Sequence, residues 1–244
     1  MFFDIRKDVD PKKYRIYIHY KVNKPLKYFE KYKLKECIDT KYAHVSLIHA
    51  QNLLYKKAYE DGCYKIITVS QACIPLKSFN YVYDFLCKDN YGYFNISPRE
   101  QRFPRANELL KYYDTNIIQK SSQWFILNRK TCEIFINDDK IKIDKEYGTI
   151  YAPEEHYFIT TVFQNNLQDE LIISPNLSND ATTFINWPDL GYKYSSKRGI
   201  KNYDTITKEE LLYLLNSKCL FGRKFLSSCY SHLNIKEYVE KITA

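Results

Sequence analysis

Residues 121–129, SSQWFILNR, are the stretch from which the fold reads outward. Two serines precede an apolar and aromatic run, residues 123–127, with the length and composition of a buried strand. Asn128 then offers a side-chain oxygen to cap a helix over residues 129–136. A strand that passes directly into a helix is the repeating unit of an α/β architecture. Upstream, residues 14–19 (YRIYIH) and 64–69 (YKIITV) read as strands. Residues 46–59 read as a helix with Ser46 as its N-cap and Gly62 as its stop, and residues 78–86 and 106–113 also read as helical. Residues 95–104, polar and carrying prolines, read as a mobile loop. Downstream, Asp138-Asp139 marks a turn and Pro153 opens a helix running to Phe163. Residues 183–187 form a strand, and residues 207–215 form a helix opening with a Thr207…Glu210 capping box. Residues 234–242 form a terminal helix. The alternation predicts one domain over residues 1–244, an open Rossmann-like α/β sheet flanked by helices, with ligands beyond the carboxyl ends of its strands.

Composition narrows the classes. Hydrophobic residues make up 45% of the 244, enough for a sizeable core and too many for a disordered chain. No apolar run approaches the roughly 18–20 residues of a membrane span. Residues 1–13, MFFDIRKDVDPKK, lack the apolar core and small-residue cleavage site of a signal peptide. A chain of the cytoplasm, its own cell's or a host's, with no membrane segment is therefore expected. The net charge of +8 is spread along the length, which suits an anionic ligand. Nucleic acid is set aside, because no helix-turn-helix, finger or RNA-binding signature is present. The seven cysteines are odd in number and none stands in CxxC or CxxH spacing, so free thiols and no structural zinc are expected.

The chemistry gathers in a few places. Residues 152–158, APEEHYF, put Glu154 and Glu155 in the first turn of a helix. Acids there favour the helix dipole by a few tenths of a kcal/mol, which alone would explain them. The same terminus also suits a carboxylate that accepts a proton at neutral pH. Residues 219–225, CLFGRKF, end an apolar run on Arg223-Lys224, and Lys201, with Lys197 and Arg198 nearby, adds cations before Thr207. Such groups are ordinarily solvated; if they converge, they can neutralise a departing diphosphate. Residues 65–79, KIITVSQACIPLKSF, are informative for what they lack. Many enzymes that transfer sugars from nucleotides follow such a strand with Asp-x-Asp, which holds a divalent metal. Here Ser70-Gln71-Ala72-Cys73-Ile74-Pro75 carries no carboxylate, and Asp8-Val9-Asp10 reads as a solvated turn. No metal ligands are assigned, and Lys201 and Lys224 are candidates for the metal's work. Trp124 reads first as core, whereas Trp187, ahead of Pro188-Asp189, can offer a face to a sugar ring. His156 shares the helix of Glu155 with no evident partner, and neither a catalytic triad nor a P-loop or GxGxxG is present.

Taken in order, SLIHAQNLLYKKAYEDG, SQACIPL, SSQWFILNR, PEEHYF, TFINW and CLFGRKF resemble the core-2/I-branching β-1,6-N-acetylglucosaminyltransferase family, from about residue 14 to residue 225. Its relatives include peptide O-xylosyltransferases and branch-type enzymes of plants and microbes. The resemblance implies a GT-A-type fold and an inverting, metal-independent transfer from a UDP-sugar to a glycan or glycoprotein hydroxyl, without a cofactor. N-acetylglucosamine is the first sugar it suggests. It sets Glu155 at the catalytic base and Lys224 at the diphosphate lysine. The second diphosphate cation falls near Lys201 or Arg198, with Arg223 beside them. Trp187 matches an acceptor-side tryptophan, Glu154 a supporting acid, and Trp124 is counted on the acceptor side with them. Two features depart from the family. Members begin with a strand ahead of YRIYIH, where this chain has only residues 1–13, and Tyr20-Lys21 stands where members often carry an Asp. A non-catalytic UDP- or glycan-binding relic and a UDP-xylose-dependent xylosyltransferase therefore remain as alternative readings.

Overall fold

The computed structural model describes residues 9–20, 25–26, 29–174, 182–188, 194, 199–229 and 238. Its elements run in the order α1 (Ser46–Glu60), β1 (Lys65–Ile67), β2 (Ile74–Pro75), α2 (Phe79–Cys87), β3 (Gly92–Asn95), β4 (Ile126–Asn128), α3 (Arg129–Ile136), α4 (Lys140–Tyr147), α5 (Glu154–Gln164), β5 (Leu171–Ser174), β6 (Thr183–Ile185), α6 (Lys208–Asn216) and β7 (Phe221–Arg223). The fold is mixed α/β, with open sheets flanked by helices. One sheet has the order β1-β4-β3-β5, with β3 and β5 parallel and the other pairs antiparallel. A second has the order β2-β7-β6, with β6 and β7 parallel.

Alternate side chains of a strand face opposite ways, and this covers the larger sheet on both faces. Tyr93 and Ile126 pack with Val82 and Leu86 of α2. Their neighbours Phe94 and Leu127 enter the main core, with Ile48 and Tyr55 of α1, Phe135 of α3 and Phe158 of α5. Phe94 stacks on Phe125 at 4.4 Å, and Phe125 meets Phe158 at 5.1 Å. Around the smaller sheet Ile74, Phe184 and Phe225 pack with Leu214 of α6. The caps follow the sequence: Asn128 Oδ1 accepts from Thr131 N–H at 2.9 Å, and Thr207 Oγ1 accepts from Glu210 N–H at 3.2 Å. Ala43 and Ala152 are less usual, with φ of 52° and 54°, and the Ala152 N–H donates to the Ala43 carbonyl at 3.1 Å. Left-handed backbone at a residue with a Cβ costs about 1–2 kcal/mol.

Several expectations are corrected. Residues 14–19 do not join a sheet; Ile18 bridges Lys33 in parallel, exchanging bonds with Tyr32 and Leu34. β-propensity marked the segment as extended but could not choose its partner. The single sheet is divided into two. Ser46 is the first helical residue rather than the cap, its hydroxyl accepting from Lys41 N–H. Residues 95–104 are not a free loop: Asn95 to Ser97 are buried, and Ile96 bridges Ser121. Residues 106–113 hold only a 3-10 turn, Asn107–Lys111. Asp139 caps an unforeseen helix, α4, and Glu210 gives its carboxylate to Lys201. Residues 234–242 lie outside the described residues apart from Tyr238.

Candidate active site

Helix α5 is a core helix, and the sequence EEHYFITTVF fills it with groups that pack on every side. From Ala152 to Val162 each residue is buried except Glu155. Its side chain keeps 29% exposure and meets Lys120 Nζ at 3.5 Å. The adjacent Glu154 turns inward, and its Oε2 has no hydrogen-bond partner. Burial pushes its pKa up to about 7; its own backbone N–H offsets part of this, and the charge of Glu155 adds to it. Two neighbouring carboxyls are thus set in opposite environments, one dry and one open beside a lysine, as acid–base sites require. His156 is buried and donates Nδ1–H to the Gln119 carbonyl at 3.0 Å. Burial lowers its pKa to about 4, so it serves the fold as a neutral ring.

A short segment links the backbone of Glu155 to the cations. Ser121 N–H donates to the Glu155 carbonyl at 2.8 Å. Three residues on, at most about 11 Å of extended chain, the buried Trp124 ring lies 3.9 Å beneath the Arg223 guanidinium. Burial lowers the pKa of Arg223, and its Nε has no hydrogen-bond partner. Lys224 follows at the end of β7, and its side chain makes no hydrogen bond or ion pair among the described residues. Phe225 N–H donates to the Ala72 carbonyl at 2.9 Å, which brings the segment lacking Asp-x-Asp alongside Lys224. Tyr203 N–H donates to the Lys224 carbonyl at 2.8 Å, and Lys201 N–H donates to the Asn186 carbonyl at 2.9 Å. Trp187, 37% exposed, comes directly after Asn186. The carboxyl ends of parallel β6 and β7 therefore carry Trp187 and Lys224, with Lys201 between their backbones.

The structure brings Lys201, Arg223, Lys224 and Trp187 together at one end of the smaller sheet. It does not leave them equivalent. Lys201 is ion-paired to the buried Glu210, and its Nζ also reaches the Tyr194 carbonyl at 3.3 Å. Trp124 lies inside, with a face against Arg223. Arg198 and Lys197 lie outside the described residues. Sequence reasoning missed Lys120 and Glu210, for each is linked to its partner only through the fold. A cleft of about 340 Å³ opens at the ends of β3 and β5, lined in part by Asn95, Ser174, Thr182 and Lys218, and holds neither Glu155 nor Lys224. Among the described residues no His, Cys, Asp or Glu side chains gather as a metal-ligand set. The seven cysteines are free thiols. Among the described residues no helix is long and apolar enough to cross a membrane.

Comparison with known proteins gives two findings. A family model described as Core-2/I-Branching enzyme matches residues 6–214. The match stops short of residues 219–225, so Lys224 is singled out by its position and by the quoted motif rather than by the family model. The chain is also similar to glycosyltransferase BC10 of Oryza sativa subsp. japonica, at 23% identity over 59% of this chain and 42% of that protein. The match spans less than half the length of that relative.

Proposed function

The chain belongs to the Core-2/I-branching enzyme family, and on that premise we propose that it transfers a sugar from a UDP donor to a glycan hydroxyl, with inversion and without a metal. The observation that carries this reading is the segment from Ser121 to Trp124, bonded to Glu155 at one end and packed under Arg223, beside Lys224, at the other. In the proposed step the acceptor oxygen attacks the anomeric carbon as the bond from that carbon to the diphosphate oxygen breaks. The acceptor proton passes to the Glu155 carboxylate, and the electron pair leaves with UDP. Lys224 meets the charge growing on the diphosphate, with Arg223 behind it. N-acetylglucosamine is the donor sugar proposed first, and xylose the alternative.

A second reading, a module that binds UDP or a glycan without turnover, draws support from Lys201. Its charge is already answered by Glu210, which leaves fewer cations for the diphosphate. Release of UDP from a panel of UDP-sugars, with EDTA and then with manganese, separates the readings. Release in EDTA from one donor supports the metal-independent transferase and identifies its sugar. Release only with manganese contradicts metal independence. No release from any donor, with UDP bound by calorimetry, supports the module.

A further inference from the structure

Two tyrosines stand out of the protein beside the N-terminus of α5. Tyr42 is 88% exposed and Tyr151 is 50% exposed, and their rings meet edge to face at 6.3 Å and 73°. Each directly precedes one of the two left-handed alanines, and Ala43 and Ala152 are tied by their hydrogen bond of 3.1 Å. The same unusual backbone thus turns two distant parts of the chain and projects both rings outward. Strained conformations persist where the surrounding structure enforces them, and they gather at ligand sites. Arg105 lies 5.0 Å over the Tyr151 ring and steadies it from one side. The Ala152 carbonyl in turn accepts the Glu155 N–H at 3.1 Å, so the pair is built onto the turn that begins the catalytic helix. The Tyr42 hydroxyl is held above its ordinary pKa first by the Tyr151 hydroxyl, and it also feels the charges of Glu155 and Glu154.

We propose that Tyr42 and Tyr151 form an acceptor platform, on which a pyranose ring of the glycan stacks while its hydroxyl is presented to Glu155. An exposed tyrosine offers an apolar face with a polar rim, which matches the C–H face and hydroxyl edge of a sugar. The presentation to Glu155 rests on the transferase reading; the stacking does not.

The two are therefore tested separately. Saturation-transfer NMR with the methyl β-glycosides of galactose, N-acetylglucosamine and xylose reads sugar contact, and calorimetry reads UDP. The expected result is contact through the C–H protons of at least one glycoside. Its affinity should fall tenfold or more in Tyr42→Ala and in Tyr151→Ala and be retained in Tyr42→Phe and Tyr42→Trp. Tyr42 is so exposed that its variants test binding rather than folding, and thermal melting checks this. No glycoside contact, or equal contact in both alanine variants, overturns the platform even if UDP binds and turns over. Glycoside contact that depends on the tyrosines in a chain that neither binds UDP nor releases it supports the platform and refutes the transferase reading alone.

Discussion

Replacing Glu154 by Gln should make the protein more stable at alkaline pH and leave its stability at mildly acid pH nearly unchanged. The folded carboxyl holds its proton up to about 7, against 4.5 for an ordinary glutamate, because it is buried. That rise is equivalent to about 3 kcal/mol. The sign follows from proton counting. Between the two pKa values the unfolded chain binds fewer protons than the native one, so stability falls as pH rises through that window. His156 acts in the opposite sense. Its pKa falls from 6.5 to about 4, so the unfolded chain binds more protons there and stability is lost as pH falls. The two opposing contributions largely compensate over the shared window, and the parent protein conceals both. Glu154→Gln removes one of them. Urea unfolding at several pH values, followed by tryptophan fluorescence, should give a difference near zero at about pH 4.5. It should grow to about 3 kcal/mol in favour of the variant by about pH 8. The variant should also weaken on acidification, with the slope that His156 imposes. A difference that stays flat across this range would refute the burial argument for Glu154.

The other predictions concern the scaffold and the cations. Asn128→Ala removes the cap bond to Thr131 N–H and the side-chain bond to the Asn90 carbonyl. It should cost about 2 kcal/mol by urea unfolding. Lys201→Ala leaves the buried Glu210 without its cation; the loss should be about 3 kcal/mol, with Lys201→Arg close to the parent. Lys224→Ala, by contrast, should leave unfolding unchanged while weakening UDP by about tenfold or more in calorimetry; equal affinity would remove Lys224 from the donor site.

Much of this arrangement could be read from local chemistry. The Asn128 cap and the helix it starts, α3, lie where the residues predict them, because capping and periodicity are short-range properties. The position of Glu154 and Glu155 in a first turn is equally local. What the sequence could not supply was long-range pairing. β2, β3, β5 and β7 are short, and nothing in their composition indicates which neighbour each will take. The YRIYIH segment shows the same limit, since its strand-like residues pair with the nearby Tyr32–Leu34 stretch instead of a sheet. The unequal fates of the lysines are also beyond local patterns. Lys201 and Lys224 look alike as isolated cations, yet the buried carboxylate of Glu210 claims Lys201 and not Lys224.

The proposed mechanism is tested most directly by the turnover of Glu155→Gln with the donor found in the UDP-sugar panel, measured beside UDP affinity. The substitution keeps the size of the side chain and removes its capacity to take a proton, together with the charge that faces Lys120. Turnover should fall by about 10²–10⁴-fold with UDP bound as in the parent. Unchanged turnover would contradict the assignment of Glu155 as the base and, with it, the proposed mechanism.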